Sequence, residues 1–444
     1  MHRQLYDALG QMGDRRVRIS TLKIVDAAEI DFGALVRRGE TVMWGQAGAE
    51  PVTLTRALMV QRHRVGRLRA FIGATWSETA DPQFTDCVRF QSYCGAGANR
   101  ILARQGKLDV LPCHYSQIGN LISSGKLRID VLMLQLAPAG PDGRYSLSLA
   151  HEYLVPAIKR ARLVIAEINQ LAPWTYGRHS LSADDVHVAV VTARRPLEPT
   201  RNAPTETEKA VARQVSAVIE DGSTLQFGIG SIPETVLREL GDHRELGIHT
   251  GALVDEAARL IEAGVVTNAR KTVDAGTSIA GVAMGSRALH DFVHRNPSVQ
   301  FRSVCYTHAA DVLASIDRFV AVNSALEVDL TGQINTEVAR GIYVGAVGGV
   351  LDFLRGAHRS RGGVPIIALP STAGSGPQIA SRIVGSLSGP ATIARADAGL
   401  IVTEHGVADL RGLSLGDRAR RLISIAAPQF RDELERHAQA AALV

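Results

Sequence analysis

Cysteine is scarce in this chain, four in 444 residues, and the placement of those four excludes more than their number does. Cys87, Cys94, Cys113 and Cys305 form no CxxC pair and have no companion histidine cluster, so neither a disulfide framework nor a zinc-finger type site is expected, and no metal is assigned. Cys113 stands beside His114, a pair that suggests a thiol nucleophile, but adjacent residues on a strand point to opposite faces. Charge of one sign is lacking too: Lys and Arg number 49 against 44 Asp and Glu, a net charge of +5. Without a contiguous basic stripe and interleaved aromatics, nucleic acid is not an expected partner. The short cluster Arg355, His358, Arg359 and Arg361 reads as a solvated loop, with the phosphates of a nucleotide-containing ligand as the other reading. No apolar run reaches the ~18 residues a membrane helix needs. Near the start, Asp7, Asp14, Arg15, Arg16 and Arg18 leave no long apolar core for a signal peptide, so a cytoplasmic protein is expected.

What the chain has in quantity is alternation. Short apolar runs at 130–134, 163–168 and 318–322 read as buried strands, and segments such as 233–240 and 252–263 read as amphipathic helices. This pattern predicts an α/β protein with mainly parallel sheets covered by helices, and the length calls for two units of about 200 residues. The units look duplicated. Gly39-Glu40-Thr41-Val42-Met43-Trp44-Gly45, with Pro51 and Leu58 after it, parallels Gly222-Ser223-Thr224-Leu225-Gln226-Phe227-Gly228, with Pro233 and Leu240 after it. Downstream, strand 130–136 leads to Asp142-Gly143-Arg144-Tyr145-Ser146, and strand 318–323 leads to Thr331-Gly332-Gln333-Ile334-Asn335. The proline-rich stretch around Pro196, Pro199 and Pro204 has linker composition. The expected architecture is two tandem, duplicated α/β domains, 1–200 and 208–444, with a ligand site between them.

Several strings carry possible chemistry. Gln226-Phe227-Gly228-Ile229-Gly230 closes a strand and opens a helix, which brings backbone N–H groups and a helix N-terminus toward an anion, or simply makes a tight connection. Gly345-Ala346-Val347-Gly348-Gly349 offers donors for an oxyanion hole, or a closely packed turn. Glu327 and Asp329, two apart at a strand end, share a face; they either shift each other's pKa or form a solvated turn. Glu50, in Gly45-Gln46-Ala47-Gly48-Ala49-Glu50-Pro51, lies in the loop that mirrors 228–230 through the repeat. It reads as a base facing the interdomain cleft or as a helix N-terminal glutamate.

Taken in order, these strings resemble the single-chain class I CoA-transferases, the acetyl-CoA hydrolase/transferase and 4-hydroxybutyrate CoA-transferase group. The resemblance is also carried by Asn323-Ser324-Ala325-Leu326-Glu327-Val328-Asp329-Leu330-Thr331-Gly332-Gln333, Thr403-Glu404-His405-Gly406-Val407-Ala408-Asp409-Leu410-Arg411-Gly412, Pro370-Ser371-Thr372-Ala373 and Leu111-Pro112-Cys113-His114-Tyr115-Ser116. It implies CoA contacts at Gln226, Gly228, Ile229, Gly230, Gly348 and Gly349, and an acyl-orienting role for Asn323. It further implies acyl-CoA and a small carboxylic acid as partners, CoA as substrate with no permanently bound cofactor, and a homodimer or larger homo-oligomer.

One departure dominates. After His249-Thr250 the family carries a glutamate, which takes up the acyl group and then CoA in ping-pong catalysis; here that position is Gly251. Val350 also replaces a family glutamine, and Gly374 and Ser375 stand where a lysine is common. Three readings follow: a transferase with Glu50, Glu327 or Asp255 as the nucleophile, a CoA-thioester hydrolase or C–C-cleaving hydrolase in which a carboxylate activates water, or a catalytically silent acyl-CoA-binding protein or partner subunit.

Overall fold

Val131–Leu136 is buried at every position, as an apolar run must be when a parallel sheet is covered on both faces. In the computed structural model, which describes residues 22–200 and 202–444, this run is central to an eight-stranded sheet. Its strands are Lys23–Val25 (β1), Thr41–Trp44 (β2), Leu68–Ile72 (β3), Val88–Ser92 (β4), Leu108–Val110 (β5), Val131–Leu136 (β6), Leu163–Asn169 (β7) and Val188–Thr192 (β8). They lie in the order β1-β8-β7-β6-β2-β3-β4-β5, every pair parallel. The charged residues at 7–18, on which the expectation of no signal peptide rests, lie outside the described residues. Among the described residues no helix is long and apolar enough to cross a membrane.

A second sheet holds Thr224–Phe227 (β9), Gly247–Ile248 (β10), Phe319–Asn323 (β11), Val364–Ala368 (β12), Leu400–Thr403 (β13) and Gly406–Asp409 (β14). The order is β10-β9-β11-β12-β13-β14, parallel except for the closing hairpin. The internal repeat is visible in register. β2 lies beside β6 with Val42 opposite Val131, and β9 lies beside β11 with Leu225 opposite Val320. Gly39 and Gly222, which open the two units, both have left-handed backbones at φ +84° and +75°, a conformation that side chains with a Cβ resist.

The sheets are separate in sequence but joined in space. β8 ends at Thr192 and the next helix begins at Glu206, capped by Thr205, so the proline-rich stretch does lie between the sheets. Packing crosses it. Tyr176–Gly177 pairs with Val299–Phe301, and single bridges join Cys94 to Ala346, His114 to Gly348 and Ala150 to Val282. The largest apolar core contains Met43, Phe71 and Leu134 from the first half together with Phe227, Leu253 and Val282 from the second. The helices expected at 233–240 and 252–263 are observed at Ser231–Arg238 and Asp255–Glu262; Ala252–Leu253 instead forms a short strand with Val282–Ala283. The basic cluster is not a loop as a whole: Arg355, His358 and Arg359 lie on the helix Val350–Arg359, where Arg355 pairs with Asp397, while Arg361 pairs with Asp317 just after it.

Candidate functional site

Parallel strands β9 and β11, with Phe227 opposite Val322, end at one edge of the second sheet and deliver the loop 228–230 and Asn323 side by side. Crevices at the carboxyl ends of parallel strands are where α/β folds bind ligands. Gln226 and Asn323 lock each other there. Asn323 Nδ2 donates to Gln226 Oε1 at 2.9 Å, and Gln226 Nε2 donates back to Asn323 Oδ1 at 3.2 Å. The loop 345–349 enters from the side, at the start of the helix Val350–Arg359. Opposite stand the loop after β2, carrying Gln46, and the start of the helix Tyr115–Ser123. These elements enclose a cleft of about 790 Å³, large enough for a sizeable ligand.

All the proposed binding residues face this cleft: Gln226, Gly228, Ile229, Gly230, Gly348 and Gly349 line it, as do Asn323 and Gly251. Ile229 is 60% exposed at its edge.

The proposed surrogate carboxylates do not line it. Glu50 turns into the protein, where it accepts from Trp76 N at 2.5 Å, Ser77 N at 3.2 Å and Ser77 Oγ at 2.6 Å. Burial pushes its carboxyl up to about 7 against those bonds, and its oxygens hold the 76–77 turn. Of the mirrored loop, Gln46 is the residue whose side chain reaches the cleft. Glu327 accepts from Asn335 Nδ2, Ser388 N and Gly389 N at 2.8–3.1 Å and so anchors the 388–389 turn. Asp329 is occupied separately by Thr331 and Gln333, so the two acids serve two turns. Asp255 accepts from Ser286 N and Oγ. Nor is Cys113 an activated thiol, since burial and the nearby Asp352 push it up to about 11.

One side of Gly251 is met by a ring from another element. A Cβ placed there would sit 3.2 Å from Cε1 and 3.3 Å from Nε2 of His308, and 3.7 Å from Phe353 Cε2. The His308 ring packs at 4.4 Å on Phe353 and 4.9 Å on Tyr115, centroid to centroid, and its Nδ1 lies 2.8 Å from Thr307 Oγ1. Burial holds this imidazole down at about 3, so it is neutral.

Three cleft-lining carboxylates were not singled out from the sequence, Glu152, Glu208 and Glu234, and of these Glu152 is the buried one. Glu152 faces the cavity, buried, accepting from Gln46 Nε2 at 2.7 Å and from the Tyr115 hydroxyl. It sits in Ala150-His151-Glu152-Tyr153, a segment with neither glycine turn nor periodicity to mark it. Its partners were nearer to hand, because Gln46 and Tyr115 both lie in strings already noted.

The acetyl-CoA hydrolase/transferase N-terminal domain model matches residues 13–213, and its C-terminal domain model matches residues 285–438. A 4-hydroxybutyrate coenzyme A transferase from Clostridium kluyveri is 36% identical over 397 residues, covering 88% of this chain and 92% of the relative. A succinyl-CoA:cyclohexane-1-carboxylate CoA transferase from Geobacter metallireducens is 31% identical over 413 residues, covering 91% and 93%. Among solved structures, RipA from Yersinia pestis superposes with a TM-score of 0.90 at 32% identity, covering 95% of this chain and 98% of that one.

Proposed function

Because this chain belongs to the acetyl-CoA hydrolase/transferase family, we propose that it cleaves an acyl-CoA thioester with water in the cleft between its two sheets. The observation that carries this reading is Gly251 with the His308 ring against it: no nucleophile stands there, and a Cβ at that position would press on the ring. A ping-pong transferase needs a side chain at that point to hold CoA between two acids. A hydrolase needs only a polarised carbonyl and an activated water.

The remaining parts suit an acyl-CoA. Backbone N–H groups of Ile229 and Gly230 and the N-terminus of the helix Ser231–Arg238 attract an anionic ligand, while Ile229 offers an apolar contact at the mouth. Gly348 and Gly349, at the start of the helix Val350–Arg359, supply N–H donors for the oxyanion of a tetrahedral intermediate. Asn323, held by Gln226, orients the acyl carbonyl. The products are CoA and a small carboxylic acid, with no permanently bound cofactor involved, and the working unit is a homo-oligomer.

Incubation of the purified protein with acetyl-CoA or butyryl-CoA, with no acceptor acid added, tests the reading. Free thiol is expected to accumulate over many turnovers, and intact mass is expected to show no CoA-sized adduct. Release that depends on an added carboxylic acid, together with such an adduct, would make the protein a transferase. Binding of acyl-CoA without turnover would make it a silent binding protein.

A further inference from the structure

Glu152 is 1% exposed, lines the cleft, and is held by two uncharged donors. Gln46 Nε2 donates to its Oε1, and the Tyr115 hydroxyl donates to its Oε2. Gln46 is itself fixed. Its Nε2 also donates to the Tyr115 oxygen at 3.0 Å, and its Oε1 accepts from Ala74 N at 2.9 Å and the Tyr93 hydroxyl at 2.8 Å. A carboxylate this well oriented costs desolvation that neutral partners only partly offset, so it calls for a reason.

Its position supplies one. The backbone N–H groups of His151 and Glu152 donate to Gly281 O, and those of Gly281 and Val282 donate to Gly251 O at 2.9 and 3.1 Å. A Cβ on Gly281 would lie 3.5 Å from Glu152 Cβ and 3.0 Å from Gly251 O, so the two positions flank one residue. On the other side Tyr115 connects Glu152 to the glycine loop: its hydroxyl holds the carboxylate while its backbone N–H donates to Gly348 O at 2.9 Å.

We infer that Glu152, from the opposite half of the chain, supplies the carboxylate this cleft lacks at Gly251 and acts as general base on the attacking water. The inference rests on the hydrolase reading above. Glu152 takes a proton from water as the water oxygen bonds to the thioester carbon, and the oxyanion is met by N–H groups of the 348–349 loop. The intermediate collapses with rupture of the C–S bond, and Glu152 returns the proton to the CoA thiolate sulfur. Water and acyl-CoA become carboxylic acid and CoA, and no further reactant is consumed. A nucleophilic role fits less well, because attack by either oxygen would have to break a bond that now orients it.

The surroundings predict the pH dependence. Tyr93, Tyr115, Tyr153 and Cys94 are all pushed up by burial and stay neutral, and His308 is neutral because burial pushes it down to about 3. Burial raises Glu152 to about 7; Glu50, beyond Tyr153, is raised to about 7 as well. A base must be deprotonated, so hydrolysis is expected to rise with pH through about 7 and to be lost below it.

The test measures acetyl-CoA hydrolysis by the full-length chain. Glu152→Gln is expected to lower kcat by about 10²–10⁴-fold, with the affinity for acetyl-CoA unchanged within about threefold and no limb near 7 in the residual rate. If that limb persisted, Glu50 would be the group titrating and the inference would fail. After turnover in H₂¹⁸O, the label is expected in the product acid alone; label in the peptide containing Glu152 would mean covalent attack and overturn the general-base role. Should Glu152→Gln fail to fold, Tyr115→Phe decides: loss of one donor to the carboxylate is expected to move the acid limb upward by about one pH unit, and an unmoved limb counts against Glu152. A wild-type protein that hydrolyses while Glu152→Gln matches it sinks this inference alone. A wild-type protein that never releases CoA without an acceptor sinks the hydrolase reading beneath it.

Discussion

Gly251→Glu, which introduces the residue that the resemblance implies after His249-Thr250, is expected to impair this protein. The new Cβ would fall 3.2 Å from the His308 ring, and that ring packs against both Phe353 and Tyr115. Overpacking of this kind costs about 1–3 kcal/mol, and crowding the thioester position should lower hydrolysis by at least about tenfold. Adding His308→Ala to Gly251→Glu empties the contested space, and the double variant is expected to recover stability relative to Gly251→Glu. It is also the form in which a CoA adduct on residue 251 should first be detectable by intact mass after incubation with acyl-CoA. If Gly251→Glu alone melted with the wild type and formed the adduct, the ring would not be what excludes a side chain there.

Arg194→Ala should produce the largest loss of stability of any single change considered. Arg194 follows β8 directly, and its guanidinium meets the fully buried Glu167 carboxylate, the Gln135 side-chain oxygen at 2.8 Å and the Glu50 backbone oxygen. Thr53 N and Thr192 Oγ1, at 2.9 and 3.0 Å, are Glu167's other donors, and neither carries charge. Removal of the cation strands a carboxylate in the sheet, at a cost of about 3–5 kcal/mol. Urea denaturation should show a clearly lower midpoint, and Glu167→Gln combined with Arg194→Met should be milder than Arg194→Ala because no buried charge is left behind. A midpoint equal to that of the wild type would show that water reaches Glu167 and that the pair contributes little.

Arg194 also shows where a linear reading stops. Its neighbours Pro196, Pro199 and Pro204 mark a connector, and among the described residues no strand of either sheet lies between Thr192 and Thr224. Composition has no means of showing that the connector's first arginine ties β6, β7 and the 47–50 turn together. The duplicated units were legible because each strand-turn-helix signal is local, a few apolar residues, a glycine that must adopt a left-handed backbone, and a proline near a helix start. The glycine loops at 228–230 and 348–349 are local signals of the same kind, and both line the cleft.

The substitutes offered for the missing glutamate, Glu50 and Glu327, were chosen for nearness in sequence to recognisable turns. Both carboxylates instead hold turns, since a backbone N–H left unpaired in the interior recruits the nearest acceptor. By itself, then, the sequence determined the α/β class, the repeat, the CoA-transferase-like loops and the absence of a side chain at 251, all properties of contiguous residues. Only the tertiary structure decided which groups surround that absence. His308, Tyr115, Gln46 and Glu152 come from four separate segments, and they meet because the two halves share one core, so that a residue about a hundred positions away in the chain closes the site from across the cleft.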